Sequence, residues 1–92
     1  MARPGDVKLK DPDSILDYVV DWSEWLGSDT VSSSTFTVGT GLTKDSESNT
    51  TTTATVWVSG GTANSSYTVT NRIVTAGGRT ADRSFVVKVV ER

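Results

Sequence analysis

The chain has 92 residues, and nine Lys plus Arg against eleven Asp plus Glu give a formal net charge of −2. That is one small domain's worth of chain, with too weak a bias for a basic surface that holds nucleic acid. Cysteine and histidine are both absent, which excludes disulfide staples, thiolate nucleophiles, Cys-type zinc sites and the commonest general base.

Fifteen Thr, twelve Ser and thirteen Val together make up forty residues. Val and Thr are stiff at χ1 and fit a pleated surface better than a helix, so the composition predicts a mostly β chain. No run approaches the ~20 apolar residues of a membrane-spanning helix. The first ten residues, Met1 to Lys10, lack the apolar stretch of a secretory signal. The expectation is synthesis in the cytoplasm and no membrane partner.

Residues 1–13 are charged, contain Pro4, Gly5 and Pro12, and keep no period, which predicts an N-terminal arm outside the domain. The arm is either a disordered terminus or a segment that orders on a neighbouring subunit. The second reading makes Lys8, Leu9 and Lys10 candidate partner contacts and leaves residues 1–12 dispensable for folding. The domain then spans residues 14–92. Leu16, Tyr18, Val20 and Trp22 fall on one face and Asp17 and Asp21 on the other, the pattern of a half-buried strand. Trp22 and Trp25, three apart, suit one helical or 3₁₀ turn at its end. Trp22 reads as core, and Trp25 either as core or as a partner contact. Thr30 to Val38 reads as a second strand with Phe36 inward, closed by a turn at Gly39 to Gly41. Leu42 and Thr43 open a third, and the polar run 44–52 reads as a loop or an edge. Residues 53–59 form a further strand, in which Trp57 lies opposite Val56 and Val58 and the inward face stays open.

Residues 67–75 place Tyr67, Val69 and Ile73 inward and Thr68, Thr70 and Arg72 outward. Ala76-Gly77-Gly78-Arg79 then signals a hairpin, because adjacent glycines supply the positive φ of tight turns, and residues 80–90 return antiparallel. Tyr67 is either an ordinary core residue or the phenol of a tyrosine corner, bonding back to upstream backbone. In the final strand Phe85, Val87 and Val89 fill one face, yet Val86 and Val90 flank Lys88 on the other. That second face either carries isolated surface valines or is covered by residues 1–13 or by another chain; Val86 and Val90 are therefore candidate contacts. Residues 11–50 carry a net −7 (eight acids, one base) and residues 71–92 a net +3 (five bases, two acids). Such halves pair within the fold or draw copies together head to tail, which adds Arg79 and Arg83 to the candidates.

Asp11, Asp13 and Asp17 have a loosely calcium-like spacing but lack the remaining ligands and the glycine of a calcium loop. No nucleophile elbow or phosphate-binding glycine loop occurs. We assign no catalytic, metal or cofactor residue and expect a non-enzyme. About seven short strands separated by Gly- and Ser-rich turns predict an all-β, immunoglobulin-like antiparallel β-sandwich.

The stretches Lys10-Asp11-Pro12-Asp13, Asp21-Trp22-Ser23-Glu24-Trp25-Leu26, Val56-Trp57-Val58-Ser59-Gly60-Gly61-Thr62 and the run from Tyr67 to Ser84 resemble a family of short virion proteins from tailed bacteriophages and prophages. That family is commonly labelled fibre–tail adaptor or minor structural protein. The resemblance implies a multicopy or homo-oligomeric virion component contacting major capsid, neck or tail proteins, as head decoration (cement) or as tail or fibre adaptor. A glycan- or host-surface-binding module is the alternative.

Overall fold

A computed structural model describes residues 7–91. The elements are β1 (Val7–Lys10), β2 (Leu16–Asp21), α1 (Ser23–Leu26), β3 (Val31–Val38), β4 (Leu42–Asn49), β5 (Thr53–Gly60), β6 (Ser66–Thr75) and β7 (Thr80–Val89). They form two sheets, ordered β2-β5-β4 and β1-β7-β6-β3. The all-β sandwich expected from composition and patterning is what the chain forms. The second, fifth and fourth strands make one layer, and the third, sixth and seventh, joined by the first, make the other. It is not wholly antiparallel, because β1 runs parallel to β7.

Alternation sets the core. Tyr18, Val20, Val56, Val58, Val69, Ile73, Phe85 and Val87 face inward from both sheets and are buried. The same parity carries Asn71 into the interior, where no apolar pattern announces it. Its Oδ1 accepts the Trp22 indole N–H at 2.8 Å, and its amide donates to Ser34 Oγ and the Thr35 carbonyl. The β6–β7 hairpin turns where the paired glycines predict, with Gly78 at φ +87°. Tyr67 forms the corner: its hydroxyl accepts the Thr62 N–H at 2.9 Å, beside Gly61.

Residues 7–10 correct the expected arm. They pair with Val86 to Val89 as a strand of the larger sheet, while residues 1–6 lie outside the described residues. Val90 N–H donates to the Lys10 carbonyl, and Tyr18 Oη donates to that of Leu9. Lys10 itself is fully buried, its ammonium donating to the Asp11 and Gly60 carbonyls at 2.8 Å each. Burial pulls that ammonium below the ordinary lysine value, opposed by Asp11, Asp13 and Asp45. Removing residues 1–12 would therefore strip an edge strand and a cross-sheet clamp, so the domain is not expected to fold indifferently without them.

The polar run after Leu42 resolves as an edge strand. A bulge between Lys44 and Ser46 changes its parity, so Lys44 pairs with Val58 and Glu47 with Val56, both on the inward side. Without the extra residue, positions three apart would face opposite ways. Phe36, on the outer edge of β3, gives its N–H to Glu47 at 2.8 Å and its carbonyl receives Lys44 Nζ at 3.0 Å. Inward-pointing charges thus seal an edge that would otherwise invite strand addition.

Candidate functional site

The sandwich presents three surfaces that could meet a partner: a cation–aromatic rim and the two outer sheet faces. The rim is built by α1, a single turn started by Ser23 N–H on Asp21 Oδ1 and closed by Leu26 N–H on the Trp22 carbonyl. It buries Leu26 and sets Trp25 edge-on to Trp22, centroids 5.4 Å apart. Arg79 lies 4.1 Å over the Trp25 ring and Arg83 4.3 Å over the Trp22 ring. Arg79 also donates to Asp29 and to the Leu26 carbonyl, and Arg83 to the Asp21 carbonyl. Trp25, Arg79 and Arg83 are thus brought together, but by one another. Trp25 is half-buried and packs on the core.

Asp29 holds this rim to the hairpin. Hydrogen bonds from the Thr75 hydroxyl, the Thr30 and Gly77 N–H groups and Arg79 lower its carboxyl from an ordinary 3.8 to about 2. A carboxyl depressed on folding contributes stability that is complete above its unfolded value and disappears as pH falls through the folded one. The stability gap between the wild type and Asp29→Asn, measured by urea unfolding, should be full above pH ~4 and close towards pH ~2. A gap that stays constant over that range would contradict it.

The outer face of the larger sheet carries the apolar strip. Val7 is paired beside Val86 and Leu9 beside Lys88, with Val7 59% and Leu9 49% exposed. Residues 7–10 add alongside β7 and not over it, so among the described residues the strip is widened, not covered. Val86 and Val90 are half-buried within it. Lys8 is engaged in an interaction of its own, and Lys10 is inaccessible.

The opposite outer face, on β2-β5-β4, holds what sequence reading left open. Two buried valines, Val56 and Val58, decide the parity of β5, so Trp57 points outward, 42% exposed, with Asp17 and Ser46 as cross-strand neighbours. Ile15, 62% exposed, immediately precedes β2, and continuing that strand's alternation by one residue would set it on the side of Asp17.

Among the described residues, no group of three or more acidic side chains could hold a metal ion, no helix is long and apolar enough to cross a membrane, and no buried side-chain polar atom lacks a partner. These polar groups are directed at the protein's own edges, and the chain as described is a two-layered β-sandwich protein. Across residues 10–88 the chain matches the family described as podophage GP4 fiber-tail adaptor protein gp77, and it belongs to that family. It is accordingly a phage virion structural component. No curated protein matches the chain.

Proposed function

We propose that this protein is a non-enzymatic, multicopy adaptor module of the phage tail, an immunoglobulin-like unit whose open faces meet tail and fibre proteins. The family match over residues 10–88 carries the reading; the exposed strip on β1 and β7 supports it, because weak contacts gain strength when many copies engage one particle. Neither nucleic acid nor membrane is among its partners. Mass spectrometry of purified particles, split into head and tail fractions, tests it. The expected result is the chain in the tail fraction at roughly a dozen copies or fewer, as a closed ring at the tail would hold. Hundreds of copies in the head fraction would replace it with head decoration, and absence from the particle would overturn it.

A second reading, a glycan- or host-surface-binding module, is favoured by one observation: Trp57 stands exposed beside Asp17 and Ser46 on a flat sheet face. An exposed indole of this kind offers a stacking face. Binding on a glycan array that Trp57→Ala abolishes would support it; silence of the array would remove it.

A further inference from the structure

Each of the two tryptophans at the rim, Trp22 and Trp25, lies under an arginine from the basic C-terminal part of the chain. Trp57 is the indole without a cation among the described residues, and its cross-strand neighbour Asp17 makes no ion pair or hydrogen bond there. On the opposite outer face stands the complement. Lys88, exposed and from the same basic part, likewise makes no side-chain bond among the described residues, and it sits beside Leu9 with Val7 close by.

We infer that the face bearing Ile15, Asp17 and Trp57 docks a second copy of this chain through the face bearing Val7, Leu9 and Lys88. The inference rests on the multicopy reading above. Lys88 of one copy meets Asp17 and the Trp57 ring of the next, a charge-assisted contact of the kind Arg79 makes with Trp25 and Asp29 inside the fold. Val7 and Leu9 meet Ile15 and the indole, removing apolar surface from water on both sides. Like-to-like pairing is disfavoured, because it would oppose Lys88 to Lys88 or Asp17 to Asp17. The contact therefore uses two different patches and is heterologous, so copies add head to tail, closing into a ring where the rotation per step allows and otherwise extending as a filament.

Sedimentation velocity of the intact chain tests this. Self-association should rise with concentration and weaken between about 0.05 M and 0.5 M salt, as screening shortens the reach of the Lys88–Asp17 attraction. Asp17→Lys and Lys88→Asp should each weaken association at least about tenfold, as loss of a close charge pair does. Both side chains are exposed and make no side-chain bond among the described residues, so unchanged thermal melts would exclude unfolding as the cause. The double reversal in one chain exchanges the signs of the two faces and should restore association. A chain monomeric up to about 1 mM, single reversals without effect, or a double reversal that fails to restore would each overturn the inference. Mass spectrometry of particles separates the two levels. A chain present in the tail but indifferent to these changes would sink the contact alone, and a self-associating chain missing from the particle would sink the adaptor reading alone.

Discussion

Replacing Asn71 by Leu is expected to lower the unfolding free energy by about 2–3 kcal/mol, although Leu is apolar and similar in size. The site is fully buried, and the change removes the acceptor of the Trp22 indole N–H and the donor to Ser34 Oγ and the Thr35 carbonyl. A buried donor left without its partner costs its full desolvation, about 1–3 kcal/mol, whereas removing both partners together can approach neutrality. Trp22→Phe combined with Asn71→Leu should therefore cost less than the sum of the single changes. Urea unfolding of the four proteins gives that coupling directly. Strict additivity would mean that the indole–amide bond contributes nothing specific.

Gly61→Ala should cost about 3 kcal/mol and lower the melting temperature by roughly 10–20 °C. Two penalties coincide there. The backbone sits at φ +91°, and an added Cβ would come within 2.5 Å of Val89 Cγ2, a buried and β-branched side chain that cannot swing aside. Gly78 separates the two terms, since at φ +87° its added Cβ meets nothing within 4 Å. Gly78→Ala should then lose only the conformational part, about 1 kcal/mol. Equal losses at both positions would show that the clash with Val89 is relieved at no cost.

Much of this architecture is legible residue by residue. The alternation in β2, the inward row of Tyr67, Val69 and Ile73, and the glycine pair of the last hairpin are local signals. Each is written in side-chain parity and turn chemistry within about ten residues, so no distant contact can reverse it cheaply. The lack of histidine and cysteine likewise belongs to the sequence alone and narrows the chemistry before any fold is drawn. The buried Asn71 was open to the same reasoning, because it occupies an inward position of β6; its polar character hid it.

What the sequence does not decide are pairings and sides. β1 carries no period of its own, and it becomes a strand only because the β7 edge offers backbone partners about eighty residues away, with Gly60 receiving its lysine. The polar run of β4 turns two charges inward only through a bulge, a one-residue shift that reverses every face beyond it. Trp57 is pushed outward because Val56 and Val58 pack against the opposite sheet. Strand parity is a property of neighbours along the chain, and so the sequence by itself determines a sandwich of short strands. Which edges are sealed, and which side chains the described residues turn outward on each sheet, is decided by contacts between residues far apart, and only the tertiary structure supplies those.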